Sequence, residues 1–276
     1  MTRIAAVQMS PVIANLMVNR GTVAAAIAGA LREGADIVIL PELATSGYVF
    51  QNMEELRSVA IPADGALFDE WAALASTRPS SVIVAGFAEA GADGAVYNSA
   101  AVVTAAGVLG IYRKVHLWDQ EKRFFTPGSD APLIVETAHG RLGVMICFDL
   151  EFPEWTRIAA LAGAEMLAVP TNWPYVDRPA GERPPEVQIA MAAARVNRMS
   201  IICSDRAGTE RGVAWNEGTT IVDADGWVVS TVGPGDGVAW ADLDASDSRE
   251  KQLAELSGVF TDRRPDLYAM VIEQPS

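Results

Sequence analysis

Short apolar runs alternate with alanine-rich segments along this chain, and this alternation limits the fold more than any other feature of the sequence. We predict helices over residues 15–33, 66–76, 154–161, 185–197 and 244–256. We predict strands over residues 4–9, 37–40, 82–87, 99–103, 108–112, 133–137, 142–146, 166–169, 201–204, 219–222, 228–231 and 238–242. Strands that alternate with helices are typical of an α/β fold in which at least one face of each sheet is buried.

Local signals support several of these boundaries. Gly34 fits the C-terminal cap of the first helix, and Pro185 fits the first turn of a later one. The sequence Asp-Ala-Asp-Gly at residues 223–226 is typical of a hairpin turn.

A weak internal repeat links two distant parts of the chain. Residues 34–42 read Gly-Ala-Asp-Ile-Val-Ile-Leu-Pro-Glu, and residues 163–171 read Gly-Ala-Glu-Met-Leu-Ala-Val-Pro-Thr. Both read as a helix end, a strand and a proline at the strand exit, so two α-β halves that face each other would explain the repeat. We predict one domain over residues 1–256. Residues 257–276 are expected to form either a frayed terminus or an arm that reaches a partner subunit.

Composition excludes several classes of function. The formal net charge of −14 disfavours binding to nucleic acid or to an anionic membrane. No apolar run reaches the roughly 18 residues that a membrane-spanning helix needs. The N-terminus reads as a first strand and not as a signal peptide, so we expect a cytoplasmic protein. Two distant cysteines form no CxxC pattern, and no histidine pair has metal-ligand spacing, so neither a disulfide framework nor a metal site is expected.

Three reactive side chains each follow a strand-like run. Glu42 follows Ile-Val-Ile-Leu-Pro, Lys114 follows Gly-Ile-Tyr-Arg, and Cys147 follows Gly-Val-Met-Ile. A carboxylate, an ammonium and a thiol could serve as base, electrophilic stabiliser and nucleophile. Taken singly, Glu42 would be interpreted as a solvated loop carboxylate and Cys147 as a buried inert thiol. Cys203 lies within an apolar run, and we interpret it as a buried inert thiol.

Together these segments resemble the nitrilase superfamily of carbon-nitrogen hydrolases over most of the chain. The resemblance implies a four-layer α-β-β-α sandwich with pseudo-twofold internal symmetry. It also implies that Glu42 is the general base, that Lys114 stabilises the oxyanion and that Cys147 is the nucleophile, with no metal or organic cofactor. Glu121, seven residues after Lys114, matches a second glutamate that positions substrate in the family.

Other segments resemble pocket-forming parts of the family. Tyr48, Asn172 and Trp173 follow predicted strand exits and are expected to line the substrate pocket, and the backbone N–H of Phe148 is expected to help hold the oxyanion. In isolation these residues would be turn and packing positions. The resemblance further implies a homodimer or a larger homo-oligomer, for which residues 185–197 and the C-terminal tail are candidate contacts.

The expected activity is hydrolysis of small amides to carboxylate and ammonia through a cysteine thioester. Cys-Phe-Asp at residues 147–149 is more similar to the amidase branches than to true nitrilases, but nitrile or N-carbamoyl-amine hydrolysis by the same triad stays open. A papain-like protease is disfavoured because neither His116 nor His139 has a suitable context. From another class, the chain could be a non-catalytic binding protein that kept the fold.

The residues after the nucleophile indicate which substrates are favoured. Family members that cleave N-carbamoyl amino acids carry arginines just after Cys-x-Asp, where this chain has Leu150 and Glu151. A substrate carboxylate would meet like charge at Glu151, so we expect neutral aliphatic amides first and amino-bearing amides second. Alternatively, Glu151 only caps the helix that begins near Glu154 and never contacts the substrate.

Overall fold

The computed structural model of the chain describes residues 1–268, which form two β-sheets packed face to face between two layers of helices. The α-helices are α1 Leu16–Arg32, α2 Met53–Val59, α3 Ala66–Ala75, α4 Pro153–Leu161 and α5 Pro185–Asn197. The strands are β1 Thr2–Gln8, β2 Ile37–Ile39, β3 Ile61–Pro62, β4 Val82–Ala90, β5 Val96–Thr104, β6 Gly107–Arg113, β7 Leu133–Thr137, β8 Gly140–Val144, β9 Met166–Pro170, β10 Ser200–Ser204, β11 Thr209–Glu210, β12 Val213–Ala214, β13 Thr220–Val222, β14 Val228–Thr231, β15 Gly237–Leu243, β16 Gln252–Ala254 and β17 Ser257–Gly258.

The two sheets share one pattern of strand directions, which confirms the predicted internal symmetry. The first sheet has the order β15-β1-β2-β4-β5-β6, with β3 paired to β4, and the second has the order β7-β8-β9-β10-β13-β14. In both orders the successive pairs are antiparallel, parallel, parallel, antiparallel and antiparallel. Helices α1 and α3 cross over in the first sheet as α4 and α5 do in the second.

Burial on both faces of each sheet explains why the strands appear in the sequence as nearly continuous apolar runs. In β1, Ile4 and Ala6 belong to the core between the two sheets, whereas Ala5 and Val7 pack towards α1 and α3. Since successive side chains of a strand point to opposite faces, one short apolar run serves two hydrophobic layers. The four-layer α-β-β-α prediction is therefore confirmed.

Most predicted elements lie within a few residues of the observed ones, but the helix predicted over residues 244–256 is wrong. This segment forms a 3-10 turn at Ala245–Ser248, followed by the β16–β17 hairpin. The side chain of Asp244 accepts hydrogen bonds from the backbone N–H and the hydroxyl of Ser246, and such local bonds compete with a regular helix. The sequence interpretation also missed α2, whose cap is the Asn52 side chain accepting from the Glu55 N–H at 2.9 Å.

The tail predicted from residue 257 onwards starts within a structured part of the chain. Residues Ser257–Gly258 pair with β16, and Pro265–Leu267 form one 3-10 turn, while residues 269–276 lie outside the described part. The hairpin predicted at residues 223–226 is confirmed, with β13 and β14 antiparallel and Gly226 at a φ of 87°. Within residues 1–268 no helix has the length and apolar character needed to cross a membrane.

Candidate active site

Glu42 lies just beyond the end of β2, in a loop pressed against β4. The carboxylate is fully buried, and its Oε1 accepts hydrogen bonds from Asn98 Nδ2 at 2.7 Å and Lys114 Nζ at 2.7 Å. Its Oε2 has no hydrogen-bond partner among the described residues. This oxygen is therefore the one left free to accept a proton.

Gly86 in β4 makes this close approach possible. A Cβ at Gly86 would lie 2.5 Å from the Leu43 nitrogen and 2.6 Å from the Glu42 Cα. Both contacts are to backbone, which cannot swing aside as a flexible side chain could. The position of Glu42 thus depends on a glycine that the sequence interpretation did not identify.

Lys114 follows β6 directly, and two carboxylates hold its ammonium. Its Nζ lies 2.7 Å from Glu42 Oε1 and 2.8 Å from Glu121 Oε1, and all three side chains are buried. Glu121 also accepts the backbone N–H of Trp118 through Oε2 at 2.9 Å, which fixes the 3-10 turn at Asp119–Arg123. An ammonium has three N–H donors, so one is left for a further acceptor.

Cys147 is the first residue of a 3-10 turn at Cys147–Glu151, immediately after β8 and Ile146. Its φ of 49° is unusual for a residue with a side chain, and such backbone conformations are concentrated at functional sites. The N–H of Phe148 comes next, at the start of the turn, where N–H groups lack partners within the helix. The turn therefore places a thiol beside a backbone donor.

Burial controls the protonation states of the three groups. Burial raises the pKa of Glu42 to about 7, although the charge of Lys114 acts in the opposite direction. Burial and the neighbouring Glu42 raise the pKa of the Cys147 thiol, so it rests protonated. Burial alone would lower the pKa of Lys114, but Glu121 and Glu42 outweigh it and raise that pKa well above its usual value. The arrangement joins a protonated thiol, a carboxylate that titrates near neutrality and a permanent cation.

The Asp149 side chain links the loop after Lys114 to the turn at Cys147 through hydrogen bonds. Its Oδ1 accepts the His116 backbone N–H at 2.9 Å and contacts His116 Nδ1 at 2.7 Å. Its Oδ2 accepts the Tyr112 hydroxyl at 2.8 Å and the Ile146 N–H at 3.1 Å. The imidazole of His116 stacks on Phe152 with the ring centroids 3.8 Å apart, so the contacts of His116 help to hold these two segments together. His139 is at a different place, with its ring nitrogen against the Ser80 carbonyl oxygen at 2.8 Å.

The thiol opens onto a small pocket of about 100 Å³. Four of the predicted pocket residues lie there with Cys147, namely Phe148, Glu151, Asn172 and Trp173. The Asn172 side chain donates to the Glu42 carbonyl oxygen at 2.9 Å, while its own Oδ1 is buried without a partner among the described residues. The sequence interpretation missed the four other lining residues, which are Trp118, Pro174, Val176 and Glu186.

Glu151 lines this pocket, and its position bears on the alternative that its side chain only caps helix α4. Helix α4 begins after Phe152, and no side chain caps its N-terminus. Glu151 is half-buried, and burial together with the charge of Glu186 raises its pKa. Glu151 therefore forms no capping hydrogen bond with α4, and contact with substrate stays a prediction.

Tyr48, the fifth predicted pocket residue, lines an adjoining cleft of about 440 Å³ together with Glu121. Burial and the charge of Glu121 raise the pKa of its phenol well above the usual value, so the hydroxyl stays a donor. Glu210 holds the loop by accepting the Tyr48 N–H at 2.9 Å, and Arg206 pairs with Glu210 at 2.9 Å. The two cleft regions share Trp118 and Pro174 in their walls.

Across residues 1–268 no group of three or more His, Cys, Asp or Glu side chains is placed to hold a metal ion.

This fold and a buried Glu-Lys-Cys cluster define a carbon-nitrogen hydrolase, and comparison with known proteins agrees. The carbon-nitrogen hydrolase family matches residues 3–252, so the chain belongs to that family, within the nitrilase superfamily. It is a hydrolase of carbon-nitrogen bonds other than peptide bonds.

Individual relatives cover nearly the whole chain. A nitrilase of Pyrococcus abyssi is 34% identical over 97% of this chain and 99% of its own length. An N-carbamoylputrescine amidase of Solanum lycopersicum is 32% identical over 92% of this chain and 89% of its own. Among solved structures, the NitN amidase from Neterenkonia sp. AN1 superposes with a TM-score of 0.77 at 25% identity, covering 97% of this chain and 98% of that one.

Proposed function

We propose that the protein is an amidase that hydrolyses small amides to carboxylate and ammonia through a thioester on Cys147. The observation that carries this proposal is the buried cluster in which Lys114 joins Glu42 and Glu121 beside a thiol that opens onto a pocket. Burying these charges is unfavourable, because the ion pairs and hydrogen bonds among them must offset the cost of removing them from water. A cluster of this kind without a function would lower stability for no gain.

In the first half of the reaction, Glu42 Oε2 takes the proton of the Cys147 thiol as the sulfur attacks the amide carbon. The remaining N–H of Lys114 and the backbone N–H of Phe148 hold the developing oxyanion. Glu42 then gives the proton to the amide nitrogen, the C–N bond breaks, and ammonia leaves a thioester behind.

In the second half, water attacks the thioester while Glu42 takes one of its protons. The C–S bond breaks, the carboxylic acid departs, and Glu42 returns the proton to the sulfur. Glu121 holds Lys114 in place, and Tyr48 offers a hydroxyl donor towards Glu121. Glu42 serves as the acid or the base at every step, which suits a carboxylate whose pKa is raised to about 7.

Ammonia release from a short aliphatic amide tests this proposal, with the corresponding nitrile run in parallel. We expect faster release from the amide. Cys147→Ala should abolish turnover, whereas Cys203→Ala should keep it, because Cys203 is buried in β10 away from the pocket. Faster release from the nitrile would make the protein a nitrilase, in line with the name of its Pyrococcus relative.

Alkylation separates an enzyme from a binding protein that kept the fold. Iodoacetamide should label Cys147 quickly and Cys203 slowly, since Cys147 lines the small pocket and Cys203 is fully buried in β10. No ammonia release from any amide or nitrile, with slow labelling of both thiols, would favour the binding protein.

A further inference from the structure

Two carboxylates in the wall of the thiol pocket have no role in the chemistry described above. Glu151 ends the 3-10 turn that begins at Cys147, and Glu186 lies in the first turn of α5. The sequence separates them widely, yet both line the pocket of about 100 Å³ that contains the thiol.

Neither carboxylate forms an ion pair with another side chain among residues 1–268. Glu186 accepts one hydrogen bond, from Asn216 Nδ2 at 3.1 Å. The nearby cation Arg178 instead directs its Nη1 to Asn216 Oδ1 at 2.8 Å and to the Val176 carbonyl oxygen at 3.1 Å. Two like charges that share a partly buried wall without a counter-ion are costly, and a bound cation would relieve that cost.

A second observation points to a ligand at this wall. Asn172 is 99% buried and lines the same pocket, and its Oδ1 has no hydrogen-bond partner among the described residues. The unpaired amide oxygen of Asn172 and the two carboxylates are three groups that accept hydrogen bonds, and an ammonium carries three N–H donors.

We propose that the pocket selects amides whose far end carries an ammonium group, which Glu151 and Glu186 bind while the amide carbon meets Cys147. This inference rests on the proposed amidase function and reverses the order expected from the sequence, in which neutral amides came first. The pocket volume limits the substrate to a short chain. A carboxylate-bearing amide is repelled by the same wall.

Three amides that differ only at the far end test the inference on the unaltered protein: 4-aminobutanamide, pentanamide and glutaramate. The ammonium of 4-aminobutanamide would form charge-assisted hydrogen bonds with the two carboxylates, whereas the methyl end of pentanamide forms none. We therefore expect kcat/KM for 4-aminobutanamide to exceed that for pentanamide about tenfold or more. Glutaramate should be the slowest. Equal or faster hydrolysis of pentanamide would overturn the inference and leave the amidase proposal intact. Absence of hydrolysis of all three would contradict the amidase proposal itself.

Variants then assign the selectivity to the two carboxylates. Glu151→Gln and Glu186→Gln should each lower the ratio of kcat/KM between 4-aminobutanamide and pentanamide, and the double variant should bring it close to one. Glu154→Gln is the matched control, because Glu154 is exposed outside the pocket, and it should keep the wild-type ratio. An unchanged ratio in a folded double variant would contradict the assignment. If the double variant does not fold, the three-substrate comparison on the wild type still decides.

Discussion

Gly86→Ala should reduce both activity and stability, because the new methyl group would meet the backbone that carries Glu42. The Cβ would lie 2.5 Å from the Leu43 nitrogen and 2.6 Å from the Glu42 Cα, whereas ordinary contacts begin at 3.4 Å. The loop must therefore retreat by about 0.9 Å, and a misplacement of about 1 Å can cost on the order of 10²-fold in rate. Overpacking of this kind typically costs about 1–3 kcal/mol in the free energy of unfolding.

Two measurements separate these effects: kcat/KM on a short amide, and the free energy of unfolding in urea. Gly21→Ala is the matched control, since Gly21 lies on the exposed face of α1 with nothing within 4 Å of its Cβ position. That control should keep full activity and gain about 0.5–1 kcal/mol, because alanine loses less backbone entropy in a helix. Activity within twofold of wild type in Gly86→Ala would refute the claim that this contact sets the position of Glu42.

Further predictions concern the charged cluster and the assembly. Lys114→Arg should be nearly as inactive as Lys114→Ala in a steady-state assay, because a planar guanidinium cannot replace a compact ammonium between two buried carboxylates; substantial activity would reduce Lys114 to a structural partner. Glu121→Gln should lower kcat about tenfold or more by loosening Lys114, and unchanged kcat would remove it from the mechanism. A pH profile of kcat/KM should fall as pH drops through about 7, because protonated Glu42 cannot take the thiol proton; an acid limb near pH 4.5 would show an unperturbed carboxyl. Light scattering at micromolar concentration should give a homodimer or larger, and a monomer would contradict the expectation from family resemblance.

The reactive residues were predictable because each is anchored to a strand that the sequence marks clearly. Glu42 and Cys147 follow β2 and β8, and apolar runs buried on both faces are easy to recognise. The order of the segments, with their flanks, carried the family resemblance from which we predicted that these side chains act together.

The residues that the sequence did not reveal reach the site through tertiary packing. Glu186 is 39 positions after Cys147, and it reaches the pocket because it lies in the first turn of α5. From the sequence, this helix was a candidate contact between subunits. Gly86 is indistinguishable from any glycine in a strand until the Glu42 loop is seen against it. The segment over residues 244–256 misled for another reason, since Asp244 and Ser246 bond locally and end the helix that its composition suggested.

Trapping the acyl-enzyme tests the central claim most directly. The protein is mixed with a short amide, quenched in acid within a turnover, digested and analysed by mass spectrometry. We predict that the peptide containing Cys147 gains the mass of the acyl group, that Cys203→Ala gives the same adduct, and that Cys147→Ala gives none. Turnover of the amide with no acyl mass on Cys147 at any quench time, or with equal turnover in Cys147→Ala, would contradict the thioester mechanism.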